Sequence, residues 1–235
     1  TSSREGSIAL GLGSSQVAGL SFGARLEHAR DLVPALQRLV RDQGWSPDEI
    51  DQCFVSIGPG SFTGIRVGVT FARHLALATG TRLCAVATLQ AIATNCLSLD
   101  EPPGRLAVIL DAKRRQVYAA IFEHVDERYR CEVEAHVCDP LELLNRSPRP
   151  AAVVGEGIER HGEAVGESGV KAIDCSLWMP QASVVLKLGL GLAAQGAFVS
   201  PDMLVPEYIR RPEAEEVWER RHGGPSQKGD EPPAS

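Results

Sequence analysis

Three kinds of feature are missing from this chain of 235 residues, and each absence excludes a class of protein. The formal net charge is −6 and no basic stripe follows the sequence, whereas a protein that grips nucleic acid by itself carries clustered lysines and arginines for the phosphates. No run of about 18 apolar residues occurs, so the sequence predicts no transmembrane helix and no membrane contact. The third absence concerns metal ligands.

Metal-binding pairs are absent although the chain has six histidines and six cysteines. No C-x-x-C, H-x-x-x-H or H-E-x-x-H spacing occurs, and these are spacings that bring two ligands to one turn or one helix face. The scattered cysteines also lack the pattern of a disulfide framework. We therefore expect buried free thiols in a cytoplasmic protein, with no metal and no cofactor.

The composition that is present, 43% hydrophobic and 23% charged, is that of an ordinary globular protein. Hydrophobic periodicity predicts an α/β chain. The predicted strands cover residues 7–12, 16–22, 53–58, 82–87, 130–137 and 151–155, with a hairpin over 106–123. The predicted helices cover 25–43, 65–79, 88–98 and 182–194, and Pro34 is expected to kink the first of them.

One stretch of the sequence divides the chain. Two prolines and a glycine at 102–104 mark a boundary, which predicts a first unit over 1–101 and a smaller second unit over 105–211. Beyond it, residues 212–235 are charged and rich in proline and glycine, so we expect a disordered tail.

A glycine-rich loop follows the predicted strand 53–58, in the sequence IGPGSFTG. Such a loop before a helix can bind phosphate through backbone N–H groups, and the contributing residues would be Gly58, Gly60, Ser61 and Gly64. The spacing misses the Walker, dinucleotide and G-x-S-x-G patterns, and the loop has no lysine. The alternative is a tight turn in which Ser61 or Thr63 caps the helix. Asp111, at the hairpin turn, has the same two interpretations: an anion- or metal-facing carboxylate, or a turn former.

The helix after the loop is apolar nearly all round, which requires burial on more than one side. A small residue recurs at every fourth position: Gly64, Gly68, Ala72 and Ala76. Such a stripe lets another backbone approach closely. Either this helix lies deep in its own domain or one face meets a partner, and we predict the partner.

These stretches together resemble the bacterial TsaB family, also called YeaZ, of tRNA threonylcarbamoyladenosine biosynthesis proteins. VSIGPGSFTGIRVGVTFARHLALATG resembles the family signature, and LEHARDLVPAL resembles its first helix, including the proline. AVILDAKRRQVYAAIFE resembles its hairpin with an aspartate and a basic pair, and PEYIRRPEAE its C-terminal stretch. The match covers most of residues 1–212 and is weak from 130 to 200.

The resemblance implies an actin-like, sugar-kinase-like and Hsp70-like fold of two RNase H-like lobes, the second reduced. The family opens with a strand that ends in Asp-Thr-Ser or Glu-Thr-Ser. Here Thr1, Ser2 and Ser3 match only the end of that strand, so we expect a native start several residues upstream.

The resemblance also implies a non-catalytic scaffold and activating subunit that pairs with TsaD, the catalytic paralogue. TsaE, an ATPase, would join the complex, tRNA would bind only through the assembly, and a homodimer would use the same helices. The residues we predict at the partner interface are Leu32, Leu36, Leu39, Ile65, Gly68, Val69, Ala72 and Ala76.

Two other functions remain open from the residues. One is an autonomous nucleotide-dependent phosphotransferase of the same superfold, which would bind nucleotide weakly at the glycine loop and Asp111. The other is a peptidase, a label attached to this superfamily, which the missing histidine pair disfavours. Fold alone does not decide among them, because function depends on the residues of the site.

Overall fold

The computed structural model describes residues 1–22 and 28–210. The strands are β1 (Gly6–Leu12), β2 (Ser15–Phe22), β3 (Gln52–Gly58), β4 (Arg82–Ala87), β5 (Arg105–Asp111), β6 (Val117–Val125), β7 (Arg128–Cys138), β8 (Ala152–Val154) and β9 (Lys171–Ala172). The helices are α1 (His28–Asp42), α2 (Phe62–Thr79), α3 (Thr88–Asn95), α4 (Pro140–Leu144), α5 (Gly157–Ser168) and α6 (Ala182–Ala194). No helix in these residues is long and apolar enough to span a membrane.

The first lobe holds two separate pairs of strands. β1 and β2 form the predicted antiparallel hairpin, and β3 pairs in parallel with β4. α2 connects β3 to β4, as a parallel pair requires, and ends at Gly80 in the left-handed conformation (φ 77°).

A cavity of about 650 Å³ separates these two pairs. Both β1 and β3 border it, and in the part of the chain described here each of them has a ladder partner only in its own pair. Apolar side chains of three helices close the remaining sides: Leu32 and Leu36 of α1, Phe71 and Leu75 of α2, Val185, Leu186 and Leu190 of α6. The first lobe is therefore split along its middle.

The second lobe is a continuous five-stranded sheet in the order β7-β6-β5-β8-β9. The central strand β5 is buried over Leu106–Leu110, because apolar layers cover both of its faces. One layer includes α3, and the other includes α4 and α5. Helix α5 and strand β9 lie where the sequence gave no prediction, in the segment where the family resemblance is weak.

Segments on each side of the boundary predicted at 102–104 pack against the sheet on the other side. α3, placed by sequence in the first unit, supplies Leu89 and Ile92 to the core of the second. Conversely, α6 and residues 199–208 return to the first lobe, where Val199 pairs with Leu83 and Leu204 packs with Val55 and Ile65. Helical and apolar patterning identifies such segments but not the sheet against which they pack. The predicted tail at 212–235 and the start of the predicted first helix, 25–27, lie outside the described residues.

The cysteines differ from the expectation of uniformly buried thiols. Cys84 and Cys96 are buried, and Cys53 and Cys138 are partly so. Cys131 and Cys175 are exposed. Burial raises the pKa of the Cys96 thiol to about 12, so that this group is an apolar packing residue rather than a nucleophile.

Candidate functional site

The glycine loop is a turn with left-handed glycine conformations, leading into α2. Gly58 (φ 128°) ends β3, and Gly60 (φ 155°) follows Pro59. Ser61 is the N-cap of α2, and its side chain accepts a hydrogen bond from the N–H of Gly64 at 3.3 Å. This is the turn-and-cap arrangement that formed one of the two interpretations of the loop.

The glycines are required because the chain's own backbone lies against them. A Cβ at Gly60 would lie 2.1 Å from the carbonyl oxygen of Ser2, and one at Gly64 would lie 1.9 Å from that of Thr1. A Cβ at Gly58 would lie 2.6 Å from the carbonyl oxygen of Glu207. These carbonyl oxygens fill the loop, and their negative partial charge would repel a phosphate group.

The N–H of Ser61 is also occupied, because it donates to the Ser2 carbonyl at 2.8 Å. A phosphate loop instead points free N–H groups at its ligand. In this structure the residues assigned to weak nucleotide binding, Gly58, Gly60, Ser61 and Gly64, contact the segment 1–2 and Glu207.

Asp111 does not join the glycine loop. It ends β5 in the second lobe, where its Oδ1 accepts the N–H of Lys113 at 3.1 Å. Its carboxylate also lies 3.3 Å from Arg160 Nε and 3.5 Å from His161 Nε2. Asp111 therefore supports the turn at 112–116, in which Lys113, Arg114 and Arg115 are left-handed (φ 61°, 51° and 61°).

Beside Asp111 lies a charged cluster that the sequence did not predict. Arg4 forms ion pairs with Glu156, at 3.4 Å from Nε to Oε2, and with Glu159. Burial raises the pKa of Glu156 above its usual value, while Arg4 opposes that shift. The sequence feature that could have indicated this cluster is G-E-G at 155–157, directly after β8. There Gly155 (φ 118°) packs on the backbone of Ile109.

The charges of this cluster are only partly balanced. One guanidinium, that of Arg4, pairs with two carboxylates, and His161 Nε2 is buried without a hydrogen-bond partner. Within residues 1–22 and 28–210, no three histidine, cysteine or acidic side chains converge as a metal site would require.

The small-residue stripe of α2 faces inward. Ile65 and Ala72 are 1% exposed, and the buried face packs on β3, Leu204 and Thr1: Gly64, Ile65, Gly68, Val69, Ala72 and Ala76. On α1, Leu32 and Leu39 are buried as well. Leu36, which is partly buried, borders the cavity. These residues were assigned to the partner interface; in this structure the chain itself covers the buried ones.

The opposite side of α2 is exposed, and we call it the α2 outer face: Phe62, Arg66, Thr70, His74 and Leu77. The Nδ1 of His74 lies 2.7 Å from the carbonyl oxygen of Thr70, and Leu77 is 69% exposed. α2 contains arginines and a histidine but no acidic residue. This face is therefore apolar and cationic, whereas the whole chain is acidic.

Comparison with known proteins identifies the relatives of this chain. The model of the family "TsaD: tRNA N6-adenosine threonylcarbamoyltransferase" matches residues 23–218. The chain belongs to this family.

Two curated relatives carry the more specific name "tRNA threonylcarbamoyladenosine biosynthesis protein TsaB". The protein of Bacillus subtilis is 30% identical over 197 residues, which are 81% of this chain and 83% of that protein. The protein of Escherichia coli is 29% identical, over 78% of this chain and 81% of that protein. The resemblance drawn from the glycine loop and the hairpin is thus confirmed.

The fold is similar to solved structures from Pseudomonas aeruginosa. One, described as an uncharacterized protein with similarity to peptidase YEAZ, superimposes with a TM-score of 0.76 at 26% identity, over 89% of this chain and 96% of that one. A second, YeaZ, has a TM-score of 0.74 at 24% identity. An α/β fold of this family is therefore common to the three chains.

Proposed function

We propose that this chain is the TsaB-type subunit of the machinery that forms threonylcarbamoyladenosine in tRNA, and that it supports a TsaD-type catalytic subunit without catalysing the reaction itself. The supporting observation is the match to two TsaB proteins over about four fifths of each chain. The glycine loop supports the non-catalytic role, because backbone carbonyls of residues 1, 2 and 207 fill it. The same contacts leave the autonomous phosphotransferase without support.

The two-lobe, actin-like architecture belongs to this proposal. The strands and helices form two units: α3 packs in the core of the second, and α6 packs against β4 of the first and against α3. This arrangement agrees with a two-lobe fold. We place the cleft between the units beside Arg4, Asp111 and Glu156, where their charged groups meet.

The partner surface that we propose is the α2 outer face together with the exposed side of α1. α1 packs beside α2, and Val33 on it is 43% exposed. A face of this kind, with apolar side chains among cationic ones, suits a partner that presents apolar and acidic groups. TsaD is the partner we assign to it. A homodimer through the same face would compete with TsaD, TsaE would join the resulting complex, and tRNA would contact the assembly.

The first test is binding to the TsaD-type protein of the same organism, with Leu77→Glu as the variant. Leu77 is 69% exposed, so a charge there leaves the core intact, but in an interface it would be desolvated without a counter-ion. Leu12, which is 67% exposed on the β1–β2 hairpin, supplies the matched control Leu12→Glu. We expect only Leu77→Glu to weaken binding, with both circular dichroism spectra unchanged.

The same proteins test the role in the reaction. Modified adenosine should form in a mixture of this chain, the TsaD-type protein, TsaE, tRNA and threonylcarbamoyl adenylate, and Leu77→Glu should reduce its yield. If wild-type chain neither binds the TsaD-type protein nor raises the yield, the proposed function is wrong. If the isolated chain hydrolyses ATP, the phosphotransferase returns as the better interpretation.

We further propose that a β-strand fills the cavity between β1 and β3. Two edge strands border it, apolar helices cover both sides, and it is about 650 Å³ in volume. Ser2 lies at one end, where its hydroxyl is 3.0 Å from that of Ser56 near the carboxyl end of β3. A strand of roughly six residues would fit there, parallel to β3 and antiparallel to β1.

This strand is testable without knowing its natural sequence. A fusion of Val-Ile-Leu-Ala-Ile-Asp before Thr1 should raise the melting temperature by several degrees, since it buries apolar area and pairs two strand edges. A fusion of the same length made of Gly and Ser is the control. Equal melting temperatures for the two fusions would exclude the strand.

A further inference from the structure

Arg66 is held in one position on the α2 outer face by two aromatic rings. Its guanidinium carbon lies 3.9 Å from the centroid of the Phe62 ring, and its Nε donates a hydrogen bond to the hydroxyl of Tyr208 at 2.8 Å. The two rings lie 5.1 Å apart between centroids. We call these three residues the arginine clamp, since stacking and hydrogen bonding fix a side chain that otherwise samples many rotamers.

Tyr208 is itself anchored to both lobes. Leu204, four residues before it, is 1% exposed in the first-lobe core, and the N–H of Glu207 donates to the carbonyl oxygen of Ile57 at 2.8 Å. Two residues after it, Arg210 donates through Nη1 to the carbonyl oxygen of Ala112 in the second lobe, at 2.7 Å. The clamp is therefore preorganised by tertiary contacts, not by α2 alone.

The clamp leaves Arg66 without a counter-ion. Among residues 1–22 and 28–210 no carboxylate lies within ion-pair distance of its guanidinium, and α2 carries no acidic residue. The hydrogen bond to Tyr208 uses Nε, so both Nη nitrogens stay available. Two parallel N–H groups in a fixed plane match the two oxygens of a carboxylate.

The surroundings of the clamp favour a protein as the source of that carboxylate. Exposed apolar side chains lie near it in the sequence, at Met203 (72% exposed) and Val205 (56% exposed), and Phe62 and Tyr208 are themselves more than a third exposed. Protein interfaces combine apolar and aromatic groups with arginine. A nucleic-acid site would need several clustered cations, whereas the formal net charge here is −6.

We infer that the arginine clamp is an anchor point of the partner interface, where Arg66 takes an aspartate or glutamate side chain of the partner protein in bidentate fashion. The inference deepens the proposed function, because the partner is the TsaD-type protein. It assigns Arg66 to the direct contact and Tyr208 to the positioning of Arg66.

The test measures the dissociation constant of the full chain with the TsaD-type protein, by calorimetry. Arg66→Ala should weaken binding by about tenfold or more, as loss of a preorganised arginine contact does at interface hot spots. Arg66→Lys keeps the charge but loses the planar fork, so it should recover only part of the affinity. Arg130→Ala is the matched control, since Arg130 is an exposed arginine that pairs with Asp126 on the second lobe.

Variants of Tyr208 test whether this residue positions Arg66 or contacts the partner by itself. Tyr208→Ala should weaken binding in the wild-type background and should add little to Arg66→Ala, because both changes remove one coupled unit. Tyr208→Phe keeps the ring and loses only the hydrogen bond to Nε, so its effect should be the smaller. Additive losses in the double variant would show that Tyr208 does not act through Arg66.

The possible outcomes distinguish a failure of this inference from a failure of the proposed function. If wild type binds and Arg66→Ala binds equally well with an unchanged melting temperature, this inference is wrong and the proposed function stands. If wild type does not bind, both fail. If Arg66→Ala loses affinity for tRNA but not for the protein, the clamp takes a phosphate and the inference is again wrong. Should Arg66→Ala fold poorly, Arg66→Lys against Arg130→Lys gives the same comparison.

Discussion

The two lobes use the same kinds of element and differ in how completely their sheets are closed. In the second lobe, β5 lies at the centre of five strands and is buried from Leu106 to Leu110. In the first, β1 and β3 face a cavity of about 650 Å³ instead of a neighbouring strand. Burial and backbone pairing are the main sources of stability. The same change should therefore cost more in the second lobe than in the first.

The largest expected difference comes from two glycines with the same crowding. A Cβ at Gly155 would lie 2.2 Å from the carbonyl oxygen of Ile109, and one at Gly60 would lie 2.1 Å from that of Ser2. Ile109 is fixed in the central strand, so Gly155→Ala should lower the free energy of unfolding by roughly 3–4 kcal/mol. Ser2 lies outside any strand and has fewer backbone partners than Ile109, so Gly60→Ala should cost at least about 1 kcal/mol less. Urea denaturation of both variants measures this, and equal losses would show that the segment at Ser2 is as rigid as β5.

Two leucines give the next comparison. Leu106 is fully buried between β5 and the layer that contains α3, and Leu106→Ala should cost about 3 kcal/mol for lost transfer energy and a new cavity. Leu10 is 7% exposed and already borders a cavity, so Leu10→Ala should cost only about 1–2 kcal/mol. Chemical denaturation measures both losses. A larger loss at Leu10 would mean that the cavity is filled in solution.

Hydrogen exchange sharpens the comparison without any mutation. Strand β5 pairs with β6 on one side and, over 106–108, with β8 on the other, so its amides should exchange slowly. In β1 and β3, the amides that point into the cavity should exchange about as fast as those of an open strand edge. Amide exchange followed by NMR resolves the two sets of amides. Slow exchange throughout β3 would contradict an open cavity between β1 and β3.

The smallest effect concerns the contact between residues 204–210 and the second lobe. Burial raises the pKa of Glu207, and the nearby carboxylate of Glu134 raises it further. A raised folded-state pKa means that the folded protein binds the proton more tightly than the unfolded one. The ionised group is therefore a penalty that is present above the folded pKa and fades as the pH falls through it.

Glu207→Gln removes that penalty, so at pH 7 it should raise the free energy of unfolding by less than about 1 kcal/mol, since the group is only half buried. The gain should shrink as the pH falls toward the ordinary glutamate range. Thermal melts at pH 7 and pH 5 check this, with Glu163→Gln on α5 as a control. A variant less stable than wild type at pH 7 would mean that the carboxylate has a favourable partner.

Much of the first lobe was predictable because local patterns decide it. The hairpin at β1 and β2, the strand β4 and the helix α6 lie within one or two residues of their predicted bounds. In the second lobe the sequence indicated β5, β6 and β7 but not α5 or β9. α5 contains three glycines and a serine, and a non-helical residue at His161, so its helical pattern is weak.

The candidate site was harder to predict than the elements. The glycines at 58, 60 and 64 were interpreted as a phosphate loop or a tight turn, and in the structure backbone carbonyls of the chain lie against them. The charged cluster pairs Arg4 with Glu156, more than a hundred positions further along the chain, and no local pattern specifies such a contact.

The sequence by itself determined most strands and helices of the first lobe, the hairpin of the second and the family. Those features depend on residue spacing, backbone sterics and side-chain chemistry within short stretches. Only the tertiary structure decided which side of α2 is available to a partner. Periodicity shows that Gly64, Gly68, Ala72 and Ala76 share a face, but what covers that face depends on residues distant in the chain. Here β3 and Leu204 cover it, so the apolar stripe lies in the core and Arg66 remains outside.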